Sequence, residues 1–181
     1  MMRLNKTKFQ ELLLYVADKS KNDRNFGAVK LNKILFYSDF LAFGNWGEAI
    51  TGATYCRRPQ GPCPRALVAA RDDLVSNGAA ELRPVQVGPY TQKRLVPKRA
   101  ANTNVFAARE LELVDQVIGR LKSDTAKDVS ERTHDLDAWN LAEPDEDIPY
   151  FTVLLGAGRV ELSPEDVALG ETVAGRINAR A

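Results

Sequence analysis

The chain has 181 residues, 44% hydrophobic and 27% charged, with a formal net charge of +1. This suits one ordinary globular domain with a real core, and no long apolar run follows Met1–Lys6, so neither a signal peptide nor a membrane span is expected. The near-zero sum conceals a split, since residues 1–105 hold 17 Lys and Arg against 8 Asp and Glu, whereas residues 106–181 hold 8 against 16. Such a split either packs a basic half on an acidic half or shows a partner two faces of opposite sign.

The first predicted helix covers residues 6–19, where Phe9, Leu12, Leu13, Val16 and Ala17 recur at helical spacing. Asn5 or Thr7 can cap it. A polar connection follows over residues 20–27. The next helix, residues 29–43, is the hydrophobic centre of the chain. Leu31, Ile34, Leu35 and Leu41 form one flank of it, and Phe36, Phe40 and Phe43 form the next. A stripe this wide belongs to a helix that other elements surround. Lys30, Lys33 and Tyr37 lie near one another on it, at offsets of three and seven. Two ammonium groups beside a phenol can read an acidic partner, and the competing reading is that they snorkel from the rim of a core helix.

Gly44 and Gly47 are expected to stop this helix, after which residues 49–56 read as a strand. Residues 57–64 form a turn too rich in Pro and Gly to be either element. Cys56 and Cys63 flank this turn; with one histidine they make no zinc site by count or spacing, and a reduced pair is expected. A helix is expected over residues 65–77, with Leu67, Val68, Ala70, Leu74 and Val75 on its apolar side. Residues 80–87 and 91–96 read as two strands joined at Gly88-Pro89 into a hairpin, with Pro84 arguing for an edge. Arg57, Arg58 and Arg65, with Lys93, Arg94, Lys98 and Arg99, make a basic cluster by sequence. No nucleic-acid motif accompanies it, so nucleic acid is not the expected partner.

A helix follows over residues 106–121, with Leu111, Val114, Val117, Ile118 and Leu121 inward, and a shorter one runs to Thr133, capped by Ser123 or Asp124. His134 is the only histidine, with no second metal ligand or nucleophile near it, so a structural role is expected for it and for Trp139. Residues 143–147, Glu-Pro-Asp-Glu-Asp, read as a solvated acidic run. Residues 148–155 form an apolar arm, Gly156-Ala157-Gly158 a turn that lacks the spacing of a phosphate loop, and Ser163-Pro164 the start of a last helix to about Ala179. The expected fold is α+β: mainly a helical bundle around the central hydrophobic helix, with a small antiparallel sheet. Helices 6–19, 65–77 and 106–121 are each expected to lay one apolar stripe on it.

Three short motifs occur in a telling order. The run from Lys30 to Asp39, Lys-Leu-Asn-Lys-Ile-Leu-Phe-Tyr-Ser-Asp, resembles the opening motif of the Panacea domain family, antitoxins resembling SocA that include phage-encoded members. The family's Tyr-Gly-Pro turn is matched by Gly61-Pro62 with the Tyr absent, and its Thr-His run followed by Trp is matched by Thr133, His134 and Trp139. The similarity covers residues 6–142. It implies a non-enzymatic fold without cofactor or metal, whose members neutralise toxins by direct binding. At least one member also presents its toxin to a protease.

The expected partner is therefore a cognate toxin protein, with a protease or a second copy of the chain as further candidates. Lys30, Lys33, Tyr37, Arg57, Arg58 and Arg65 are the expected partner-binding residues. Gly61, Pro62, Thr133, His134 and Trp139 are the expected structural motif. One domain over residues 1–181 is expected, with 143–181 an extension packed on it, in the cytoplasm. The competing class is an enzyme acting on nucleic acid, which requires His134 beside a second polar group in a solvent-reached pocket.

Overall fold

The computed structural model describes residues 2–134 and 136–155. The turn expected at 156–158 and the helix expected from Ser163 lie outside the described residues. Helix α1, Lys6–Lys19, starts where Asn5 accepts a hydrogen bond from the Lys8 amide at 3.0 Å. Its Phe9, Leu12, Leu13 and Val16 are fully buried. Helix α2, Ala28–Trp46, is the centre of the molecule. Gly44 does not stop it; the helix runs on with Val153 packed near that glycine, and ends at Gly47 in the left-handed conformation (φ 77°).

Strands β1, Tyr55–Cys56, and β2, Cys63–Pro64, pair antiparallel with Cys56 opposite Cys63. Helix α3, Leu67–Ser76, leads to β3, Ala80–Val87, and β4, Tyr90–Pro97, which pair antiparallel along their whole length as the expected hairpin. Helices α4, Ala108–Leu121, α5, Ala126–His134, and the single turn α6, Asp137–Asn140, follow. Strand β5, Asp147–Ile148, joins the free edge of β1, giving the order β2-β1-β5. Residues Tyr150–Leu154 close as a 3-10 turn.

The structure is an α+β fold in which helices and a small antiparallel sheet pack together, with α2 in the middle. Helices α1, α4 and α5 and the 150–154 turn pack on α2. Helix α3 instead packs on α1 and β3, and its Val68 and Val75 face solvent, 56% and 37% exposed. The expectation that α3 covers α2 is thereby corrected. Only the last two residues of the strand expected over 49–56 are strand. The preceding backbone is held differently: the Asp39 carboxylate accepts from the Thr51 amide at 2.7 Å, and the Asn5 amide donates to the Thr51 carbonyl at 2.8 Å. The cap of α5 is Thr125, not Ser123 or Asp124; its hydroxyl accepts from the Asp128 amide while Asp128 accepts from the Thr125 amide.

Beneath the sheet, Phe36, Phe40, Tyr55 and Tyr150 form an aromatic cluster with Phe36–Phe40 and Phe40–Tyr150 ring centroids 4.2 and 4.6 Å apart. Asp39 is fully buried beside it, accepting from the Thr51 hydroxyl at 2.5 Å and the Tyr55 hydroxyl at 2.8 Å. Burial pushes its carboxyl up to about 6, against the pull of these hydrogen bonds. The two charge halves of the sequence meet where α1 faces α4: Lys8 pairs with Glu110 at 2.7 Å, partly buried, and Lys19 with Asp115 at 3.1 Å at the surface.

Candidate functional site

The chain leaves β1 at Cys56, turns through Arg57–Pro62 and returns as β2. The turn needs a glycine: Gly61 has φ 91°, where a side chain is strained. It also has no room for one, because a Cβ there would collide with the Thr133 hydroxyl and the Lys33 side chain. Lys33 rises from α2 beneath the turn and is 1% exposed. Its ammonium donates to the Gln60 carbonyl and lies 3.5 Å from the Pro62 carbonyl. Burial pushes its pKa down to about 8, with the nearby Cys63 acting in the opposite sense. Thr133 is fully buried on the other side, its hydroxyl donating to the Ser130 carbonyl at 2.7 Å. The structure thus brings Lys33, Gly61, Pro62 and Thr133, from three separate stretches of sequence, into one contact.

Lys30 is equally buried. Its ammonium pairs with Asp23 at 2.5 Å and donates to the Lys122 and Asp124 carbonyls at 3.0 and 2.8 Å, tying α2 to the α4–α5 connection. Neither Lys30 nor Lys33 points outward; both are 1% exposed, and the guanidinium groups of Arg58 and Arg65 lie outside them. Tyr37 is half-buried; it lines a cavity of about 170 Å³ with Leu41, Val117, Leu121, Arg120 and Arg132.

The outer face of the turn is built on Trp139. The Arg57 guanidinium lies 3.9 Å from the indole centroid and donates to the Ala142 carbonyl at 2.6 Å. The His134 ring stacks on the same indole, with centroids 4.1 Å apart and planes 25° apart. The indole N–H reaches the Arg58 carbonyl at 3.4 Å, so α6 holds the turn from outside as Lys33 holds it from inside. An open groove of about 280 Å³ results, lined by Arg57, Arg58, Pro59, Trp139, Pro144 and Asp145. His134 is not part of that lining. Its backbone carbonyl accepts from the Asn140 amide group at 2.9 Å, and its ring is part of the stack.

Along the rim, Arg58 pairs with Asp145 at 3.1 Å, and Arg65 pairs with Asp147 at 2.5 Å and Asp145 at 3.4 Å. The remaining basic residues of the expected cluster are scattered: Arg99 pairs with Glu11 at 2.7 Å, Lys98 with Glu81 at 2.9 Å, and Arg94 donates to the Arg24 carbonyl. Cys56 and Cys63 are free thiols; Asn32 donates to the Cys63 sulfur at 3.4 Å. Among the described residues no group of three or more His, Cys, Asp or Glu could hold a metal ion, and no helix is long and apolar enough to cross a membrane.

Sequence reasoning missed one buried residue and one pairing. Asp39 carried a usable signal, a carboxylate set in an apolar stripe. Pairing Arg57 with Trp139 had none, because the two lie far apart in the sequence and meet only through the fold.

The fold is a helical α+β domain presenting one firmly held turn, and its class follows from the comparison with known families. The family model for the antitoxin SocA-like Panacea domain matches residues 31–140. The chain belongs to the Panacea domain family, which points to an antitoxin-like role in protein–protein interaction. No curated protein and no solved structure matches it.

Proposed function

We propose that this chain is a non-enzymatic, cytoplasmic antitoxin-type protein that neutralises a toxin by binding it directly, through the outer face of the 57–65 turn. The observation that carries this reading is the turn itself. It is fixed from beneath by Lys33, from the side by Thr133 and from outside by Trp139, yet Arg57, Arg58 and Trp139 still line an open groove. A loop held this firmly by buried groups loses little freedom on binding, which favours recognition of a protein surface. An Arg and a Trp at its centre are the residue types that dominate protein interfaces. Arg57, Arg58 and Arg65 are assigned as partner-contacting residues, Lys33 as the group that positions the turn, and Lys30 as a tie between α2 and the α4–α5 connection. A protease-presenting role and self-association are compatible with the same surface.

The enzyme reading receives less support, because His134 is taken up by the Trp139 stack and does not line the groove. The test is co-expression with the product of a small neighbouring gene that stops growth when expressed alone. The expected result is restored growth and co-purification, both lost in Trp139→Ala and Arg57→Ala variants that keep the parent circular dichroism spectrum. Growth unrestored by the wild-type chain, or variants that neutralise as well as it does, would overturn the assignment.

A further inference from the structure

The rim of the groove is occupied by the chain itself. Residues 143–147 form an arch across the basic turn, and all five are exposed. The arch is anchored at both ends by buried residues, Ala142 and Ile148. Between them it closes as a turn, the Glu146 amide donating to the Glu143 carbonyl at 2.9 Å, before Asp147 enters β5. The Arg57 amide donates to the Glu146 carbonyl at 2.9 Å and the Asp145 amide donates to the Arg57 carbonyl at 3.0 Å, extending the β1–β5 pairing by one residue. Its carboxylates meet the guanidinium groups: Asp145 takes Arg58 and Arg65, and Asp147 takes Arg65.

Three observations mark these contacts as exchangeable. The side chains of all four paired residues are 42–58% exposed, so water and salt compete for them. Asp145 is the one non-glycine residue among those described with positive φ (68°), a conformation that costs a residue with a side chain. The arch also lies beyond residue 140, where the family match ends.

We propose that residues 143–147 are an internal stand-in for the partner, and that the partner's recognition segment is an acidic segment that displaces the arch along Arg57, Arg58 and Arg65. The inference rests on the proposed function in taking the partner to be a protein. The chemistry is that of the arch itself: backbone hydrogen bonds to Arg57 at the end of β1 supply the geometry, and carboxylates spaced two residues apart supply the selectivity. While the arch is in place it competes with the partner and with any other anion, which restrains unspecific attachment of the basic turn.

The test uses the full chain and a fluorescein-labelled heptapeptide, Glu-Pro-Asp-Glu-Asp-Ile-Pro, copying residues 143–149. It is titrated against the wild-type protein and against the Asp145→Asn/Asp147→Asn double variant, whose thermal melt serves as the folding control. The expected result is binding about tenfold tighter to the double variant, weakening as salt rises from about 0.05 to 0.5 M. Adding Arg58→Glu and Arg65→Glu to that variant is expected to abolish binding. No binding to a folded double variant, or equal binding to both proteins, overturns the proposal. So does tighter binding of a single-stranded oligonucleotide of equal charge, which would assign the turn to nucleic acid. Growth rescue of cells co-expressing the toxin gene is scored separately. Failed peptide binding with intact rescue removes the stand-in alone, and failed rescue with intact peptide binding removes the antitoxin reading alone.

Discussion

A Cβ on Gly61 would stand 2.5 Å from the Lys33 ammonium. The two residues lie on different elements, and each excludes the alternatives to the other. The lysine fills the space a side chain at position 61 would need, and the glycine lets the Gln60 carbonyl reach the lysine.

Gly61→Ala is therefore expected to destabilise the protein by about 1–3 kcal/mol from backbone strain, with the collision adding to it. Urea unfolding of variant and parent measures this. Gly78→Ala is the matched control, since Gly78 also has positive φ (76°) but open space around it. Equal losses at the two positions would show that the Lys33 and Thr133 contact contributes nothing.

Lys33 carries a pH signature. Its native pKa is pushed down to about 8, while an unfolded lysine titrates near about 10.4. Between these values the unfolded chain binds more protons, so this group makes stability rise with pH from about 8 to about 10.5. Lys33→Met keeps the stem and removes the titration. The measurement is the unfolding free energy of both proteins across that window, in a Cys63→Ser background because the half-buried Cys63 thiol beside the lysine is itself pushed up by burial. The curve of the protein that keeps the lysine is expected to climb relative to that of the Lys33→Met variant; parallel curves would place the ammonium in water.

Asp39 gives the opposite slope at lower pH. Its native pKa of about 6 lies above the unfolded value of about 3.9. In that interval the native state binds the extra proton, so this carboxyl makes stability fall as pH rises from about 4 to 6. Asp39→Asn is expected to flatten the difference, because its amide oxygen still accepts from the Thr51 amide. An unchanged slope in the variant would mean that Asp39 is solvated in the native protein.

Phe40→Ala is expected to cost about 3–5 kcal/mol, since the ring is 2% exposed and touches Phe36, Tyr55 and Tyr150. Against a total of about 5–15 kcal/mol this lowers the melting temperature severely and drives aggregation on expression. A melting curve matching the parent would displace α2 from the centre of the fold.

The elements governed by local pattern were legible in the sequence. The span of α1 and its Asn5 cap, the β3–β4 hairpin and the breadth of the α2 stripe follow from spacing, capping and turn chemistry acting over a few residues. The stretch before Tyr55 misled because its backbone bonds to the Asp39 side chain and to Asn5, where alternation predicts a ladder. The lysines misled for a related reason. Lys30 and Lys33 are buried by carbonyls at positions 60, 62, 122 and 124, and no helical periodicity reports acceptors so far away. The arginines were legible as a group, but their neutralisation by Asp145 and Asp147 depends on the return of a late segment to β1.

That late return bears on how the protein is made. Tyr150 covers Phe40 and donates from its hydroxyl to the Ala53 carbonyl at 2.6 Å. On the ribosome, α2 emerges early and waits for this ring until nearly all the described chain has been synthesised. A nascent chain stalled just after residue 140 would already contain the whole family-matched span and would still leave Phe40 and Phe43 open to chaperones and proteases. Until Tyr150 has been made and docked, the central helix keeps an uncovered aromatic edge.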